Sequence, residues 1–384
     1  MPAIPINIVN ETTLPAYRSP AALCGLFVRR GRCELIPPTS RRVSEWSSNR
    51  FAKAGLPAPE WWQDNPVVSG RAVEMFRLTN AYYFPASGSI ISADGEAMES
   101  AVEELRYMTP DHSLSSLPFI RRRMNGPSSF DPPAHLPRLK RAIVSMPAGA
   151  GNYGHFVLDC LSGVVATMGV QKLRGTPFVF PPLLPWQRRH LELVGVTSPA
   201  ISAEPVYRVS QLFFTNCMAH NLHSPNVHFL TVRNIQLSNV SENLAPGVGE
   251  RIYISRRAAR FRSFLDEPEI ETRLAALGFS IVQPEMLQVD QQIQMFHRAN
   301  VIVGPTGAAF ANVIYCRPGT LVVEIVPTPM AAYWVGWLCA LTDSRWRPYF
   351  CDGQSRRTSA VPEDIRFSTD KDQLIRYIQT EIGD

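Results

Sequence analysis

The stretch "RIYISRRAARFRSFLDEPEIETRLAALGFSIVQP", residues 251–284, decides how the chain is read. "RIYISR" (251–256) reads as a strand ending in basic residues. "DEPEIETRLAALGF" follows with acids in its first turn, Pro268 early and Gly278 at its stop, the punctuation of a helix. "SIVQP" is again a strand. The same rhythm continues through "DQQIQMFHRA" as helix, "NVIVGP" as strand, "GAAFANVIYC" as a short helix and "TLVVEIVP" as a closing strand. Strand and helix alternate four strands deep, which predicts a parallel sheet covered by helices.

Upstream, the rhythm recurs. "RAIVSMP" (141–147), "TPFVF" (176–180) and "VYRVSQLFFT" (206–215) read as strands, with "HFVLDCLSGVVATMG" (155–169, Gly169 at its C-cap) and "WQRRHLELVG" (186–195) as helices between them. Before these, "AVEMFRLTNAYYFPASGSIISADG" (72–95) reads as strands separated by turns, with Asp94-Gly95 as a hairpin turn. "LAPGVGE" (244–250) breaks the pattern and marks a boundary. The expected organisation is an irregular extension over 1–70 packed on the first lobe, an acceptor-side α/β lobe over 71–240, a nucleotide-binding lobe over 241–365 and a final helix over 366–384. That helix has Thr369 and Asp372 spaced as a capping box. The fold class is α/β, with two similar units facing across a cleft.

Bulk properties agree. A chain of 384 residues is long enough for two domains, and 45% hydrophobic with 18% charged residues is a globular mixture. The net charge of +5 is carried almost wholly by arginine, lysine standing only at Lys53, Lys140, Lys172 and Lys371. Arginine's planar fork matches phosphate, although the gene's base composition would give the same bias. The densest basic run is Arg121–Arg123, so no nucleic-acid partner is expected. Seven cysteines without a C-x-x-C predict neither a zinc site nor a disulfide framework, but reduced thiols in a cytoplasmic protein. The N-terminus shows no signal-peptide pattern. "AAYWVGWLCAL" (331–341) is half the length of a membrane span. Trp334 and Trp337 would suit a bilayer surface, making peripheral association with a membrane one expectation, but the run reads first as a helix on the protein's own core.

Two stretches carry chemistry. In "GAGNYGHFVLD" (149–159), Gly149, Gly151 and Gly154 spell G-x-G-x-x-G, the turn of a dinucleotide site. Such a site also needs an acid at the end of the next strand, and that strand runs instead into Pro181-Pro182. A NAD-dependent oxidoreductase is therefore the weaker reading. The same stretch sets His155 and Asp159 four apart on one helix face, beside a strand end. The helix N-terminus favours a neutral imidazole, so either His155 or Asp159 could serve as a base.

In the second lobe, "ISRRAARFR" places Ser255, Arg256, Arg257, Arg260 and Arg262 just past a strand, suited to a diphosphate. "GPTGAAFAN" sets Gly304, Thr306, Gly307 and Ala308 where a helix N-terminus can receive an anion. Glu324, the one acid in "TLVVEIV", needs a partner, a ribose diol or an arginine. The only D-x-D, Asp370–Asp372, lies in the last helix's cap, so no metal site and no bound cofactor are expected.

From residue 72 to 327 the order of these signals resembles glycosyltransferase family 61. "NYGHFVLD" is similar to that family's Asn-Tyr-x-His helix start. The resemblance implies a GT-B arrangement of two Rossmann-like lobes, a nucleotide-sugar donor (usually UDP-linked), no metal and inversion at the anomeric carbon. The acceptor would be a glycan or lipid-linked glycan, in bacterial members for surface polysaccharides such as capsule. By position it implies Ser255, Arg256 and Arg257 at the diphosphate, Gly304 to Asn312 at the nucleotide and Glu324 at ribose. Asn152, Tyr153 and Gln291 would orient loops, and His155 or Asp159 would be the base. One departure stands out: Thr306 occupies the place of the His in the family's usual Gly-Pro-His-Gly, which leaves an inactive nucleotide-sugar binder as an alternative.

Overall fold

The computed structural model describes residues 4–10, 40–69, 73–108, 114, 116–121, 128–219, 226, 228–242, 247–259, 262–358 and 361–383. The chain divides into two compact units, Met1–Glu34 with Arg71–Gln236, and Leu35–Gly70 with Leu237–Asp384. It is a mixed α/β protein with several sheets.

The first unit is built on strands β1 (Asn7–Val9), β2 (Met75–Phe84), β3 (Ser89–Ile91), β4 (Glu96–Met98), β5 (Arg138–Ile143), β6 (Val179–Phe180), β7 (Ala200–Ile201) and β8 (Tyr207–Thr215). Its main sheet runs β5-β8-β2-β3-β4-β1. β5 and β8 are parallel, and β6 and β7 continue that sense through a parallel bridge from Ile143 to Phe178. Across β8 the sense reverses. β2 pairs with β8 antiparallel over eight residues, and the hairpins β2–β3 and β3–β4 extend the sheet. Gly95 (φ 90°) makes the β3–β4 turn that Asp94-Gly95 predicts, in a conformation few other residues adopt. The first lobe is thus a mixed sheet and not the Rossmann-like unit expected. Short turns between 75 and 98 force antiparallel neighbours, since a parallel pair needs a long crossover. Phe76, Leu78, Tyr83, Val209, Leu212 and Phe214 fill the core beneath.

The second unit follows its sequence closely. Strands β9 (Arg251–Ile254), β10 (Ser280–Val282), β11 (Val301–Pro305), β12 (Leu321–Pro327) and β13 (Arg345–Cys351) form one sheet ordered β10-β9-β11-β12-β13. Every pair is parallel. That is the doubly wound order two-one-three-four-five, whose switch point lies between β9 and β11. β13 was not foreseen. Pro348 sits inside it, which is tolerated because β13 is an edge strand.

Residues 40–69 pack in this second unit, where the sequence reading had put them on the first lobe. The reason is aromatic. Trp46 is 1% exposed, its ring 4.8 Å from Trp346 and stacked 5.7 Å from Tyr333. Arg50 donates to the carbonyl of Trp346 and to Glu381. "AAYWVGWLCAL" becomes the helix Trp334–Thr342, with Val335, Leu338 and Cys339 buried and Trp337 5.4 Å from Trp46, packed on the protein's own core. Among the described residues no helix is long and apolar enough to cross a membrane. Cys160, Cys217, Cys316, Cys339 and Cys351 are buried free thiols.

The final helix, Lys371–Ile382, is capped by Asp370, whose side chain accepts from the Gln373 amide at 2.9 Å. Thr369, expected in that role, instead donates its own amide to Asp266. One position later the turn offers a carboxylate, a better cap than the threonine hydroxyl.

Candidate functional site

In the first unit, the chain leaves β5, makes a 3₁₀ turn over Ala148–Gly151 and enters helix α1. Gln187 anchors the turn, donating from Nε2 to the Ala150 carbonyl at 2.9 Å. Asn152 caps the helix by accepting from the Gly154 amide. α1 runs as α-helix over Tyr153–His155, as π-helix over Phe156–Cys160 and as α-helix again over Leu161–Met168. Single π turns inside helices concentrate at functional sites, because they re-aim side chains. Ser145 donates to the Cys160 carbonyl at 2.8 Å, supporting the π segment from outside. Gly163 lets the helix lie close to the sheet. A Cβ there would sit 2.3 Å from Ser145 Oγ and 2.9 Å from Thr215 Oγ1.

His155 Nδ1 lies 2.9 Å from Asp159 Oδ2. The aspartate side chain is 1% exposed and the histidine 15%. A carboxylate oxygen accepts from Nδ1–H, and in the neutral ring the lone pair then lies on Nε2. The sequence left two candidates for a base. In this geometry Asp159 is the buried partner and His155 the one with access to solvent. Tyr153, two residues before His155, is backed by buried groups. Gln236 Nε2 donates to the His190 carbonyl at 2.9 Å and reaches its Nδ1 at 3.1 Å. His190 Nδ1 therefore accepts, and Nε2–H donates to Tyr153 Oη at 3.2 Å. No sequence signal pointed to this Gln236–His190–Tyr153 chain, because its members lie far apart in the sequence.

In the second unit, the end of β9 faces the end of β11 at the switch point. Gly304 permits the close approach, since a Cβ there would meet Ile254 Cβ at 2.9 Å. Arg256 lies against Gly307, whose Cβ position is 2.0 Å from Arg256 Nη1. Burial, then the neighbouring Arg262 cation, pull the Arg256 guanidinium down to about 10, so it still carries its charge at neutral pH. Its backbone amide donates to Glu267 Oε1 at 2.7 Å, and Tyr253 Oη donates to the same oxygen at 3.1 Å. Burial raises the Glu267 carboxyl. Ala308 and Ala309 open a 3₁₀ helix, Ala308–Tyr315, and the first amides of a helix have no partner within it. Arginine cation and helix start thus meet at one strand end, as an anion site requires.

The other expected residues divide. Ser255 is 2% exposed and accepts from the Arg257 amide at 3.3 Å. Arg257 pairs with Glu271, beside a cavity that Ser255 and Gln291 also line. Gln291 caps its helix, Val289–Arg298, by accepting from the Gln288 amide at 3.0 Å. Asn312 is fully buried and donates to Gln292 Oε1 at 3.3 Å. Arg260 lies outside the described residues.

The protein partners of Glu324 are Trp346 and Thr306, not an arginine. At 1% exposure it accepts from Trp346 Nε1 at 2.9 Å and from the Thr306 hydroxyl, and burial pushes its carboxyl up to about 7. Trp346 comes from β13, the strand the sequence reading missed, so its partnership with Glu324 was out of reach. Glu271 was findable, standing on the buried face that Glu267, Ile270 and Leu274 trace along Glu267–Ala276. Among the described residues no three His, Cys, Asp or Glu side chains gather to hold a metal ion.

With this geometry in hand, comparison with known proteins gives one match. Residues 153–323 match the model of the family described as Glycosyltransferase 61. No curated protein matches the chain. The matched span begins on the first turn of α1 and ends within β12. It takes in His155 and Asp159 and the Arg256–Gly307 contact, and stops one residue before Glu324.

Proposed function

We propose that the chain is an inverting, metal-independent glycosyltransferase. It moves a sugar from a nucleotide donor, UDP-linked in the first instance, to a hydroxyl of a glycan or glycolipid acceptor. The observation that carries this reading is that one glycosyltransferase match encloses both an oriented histidine and an arginine–glycine anion site. Asp159 holds Nδ1–H, and His155 Nε2 takes the acceptor's hydroxyl proton as its oxygen attacks the anomeric carbon. The bond from that carbon to the diphosphate oxygen breaks, its electron pair leaving with the diphosphate. A single displacement inverts the centre. Arg256 and the amides at Ala308 and Ala309 neutralise the leaving group, the task a divalent ion performs in metal-dependent enzymes. A two-lobed GT-B arrangement, a cytoplasmic setting and a part in surface polysaccharide synthesis belong to the same proposal.

A thermal-shift screen across nucleotide sugars tests the donor, since a bound donor stabilises the folded form by mass action. Donor turnover in excess EDTA tests the rest. Activity lost to the chelator and restored by manganese would contradict metal independence. One observation favours a second reading, a nucleotide-sugar binder without turnover: Thr306, 4% exposed, is committed to Glu324. Donor binding with neither hydrolysis nor transfer, across a panel of acceptors, would select it.

A further inference from the structure

The resemblance places ribose at Glu324, but that carboxylate is sealed behind Thr306 and Trp346. A different place in the same unit has room. A cavity of about 430 Å³ lies outside the ends of β9 and β10, with Ser255 in its wall. Ser255 is the residue next to Arg256, so the cavity begins one residue from the switch-point cation. Val248, Ile281, Met286 and Leu287 line it on the apolar side. Ile281 is 37% and Met286 76% exposed, so two of the chain's large exposed apolar side chains flank one opening. An adaptable thioether beside a slot suits a flat ring. Glu271 lines the same cavity with its side chain 8% exposed. Its Oε2 holds Arg257, while its Oε1 is buried with no hydrogen-bond partner among the described residues. A buried acceptor left unsatisfied is costly, and a ligand hydroxyl would satisfy it.

We infer that this cavity seats the nucleoside half of the donor, its base against Ile281, Met286 and Leu287 and a ribose hydroxyl donating to Glu271 Oε1. The inference rests on the nucleotide-donor reading. The diphosphate then lies toward Arg256 and Gly307, and Arg257 holds the ribose acceptor in place without itself meeting phosphate.

Calorimetric titration of the full chain tests this with UDP, GDP, ADP, 2′,3′-dideoxy-UDP and inorganic pyrophosphate. UDP should bind at least tenfold tighter than its dideoxy analogue, and Glu271→Ala should erase that preference. Met286→Trp, at a site exposed enough to leave the core intact, should weaken UDP at least tenfold and leave pyrophosphate unchanged. Arg256→Ala should weaken both. UDP binding indifferent to Met286→Trp, or a ribose preference that survives Glu271→Ala, overturns this placement while the donor reading stands. Failure of every nucleotide and of pyrophosphate to bind the unaltered chain overturns the donor reading and this placement with it.

Discussion

At the end of β5 the chain sets a histidine against a carboxylate. At the end of β9 it sets an arginine against a glycine. Both sites stand where a parallel strand gives way to a helix, yet they use opposite materials. The first depends on a buried carboxyl group. Asp159 sits on a π turn in a helix buried along most of its length and fixes which nitrogen of His155 stays basic. The second depends on the absence of a side chain. Gly307 leaves the space that Arg256 fills. A proton acceptor needs its tautomer held, and an anion site needs a cation and amides brought close. The two strand ends meet these needs separately.

The sharpest way to break the contrast is at His155. His155→Ala should lower turnover by about 10²–10⁴ while donor affinity, read by calorimetry, stays within twofold. Asp159→Asn should also cut turnover and leave affinity alone, because the wrong tautomer then faces the acceptor. Equal loss of affinity in either variant would place that pair in the donor site.

Next in size is Glu324. Its folded value of about 7 exceeds the ordinary 4.5, so between those pH values the folded chain holds a proton the unfolded chain has released. Stability contributed at this site therefore falls as pH rises from about 4.5 to about 7 and levels off above, by up to roughly 3 kcal/mol. Urea unfolding of Glu324→Gln and the unaltered chain, from pH 4.5 to 8, should show the variant gaining on the parent over that window. A constant difference would mean Glu324 is charged throughout.

Gly163→Ala should cost about 1–3 kcal/mol in the same unfolding measurement, by forcing the added methyl onto Ser145 and Thr215. It should also slow turnover, since Ser145 supports the π turn. The smallest effect belongs to Gly307→Ala. The clash there is with the far end of a flexible side chain, so the fold should hold while donor affinity falls about tenfold, or about 1.4 kcal/mol. Unchanged affinity would remove Arg256 from the anion site.

How much the sequence revealed differs between the units for the same physical reason. Between 251 and 327 each buried strand is a short apolar run and each helix carries its own stop, so order could be read locally. The sheet of the first unit could not, because β2 meets β8 across more than a hundred residues and its antiparallel sense follows from pairing, not pattern. At the sites, His155 with Asp159 and Arg256 near Gly307 were legible as spacing and strand ends. Thr306 and Trp346 as partners of Glu324, and Glu271 as partner of Arg257, depend on which side chains burial brings together.

The stretch from 40 to 69 has a consequence for how the molecule is made. Arg50 finds the carbonyl of Trp346 across 296 residues. At synthesis rates of about 5–20 residues per second, that carbonyl emerges roughly 15–60 s after the arginine. Through that interval the Arg71–Gln236 part of the first unit is translated while Trp46, Phe51, Trp61 and Trp62 lack their ring partners Tyr333, Trp337, Trp346 and Phe350. The early tryptophans are thus a window for chaperone capture. A protein trimmed to begin at residue 71 would lose the aromatic layer packed on Trp346 and Phe350 of β13.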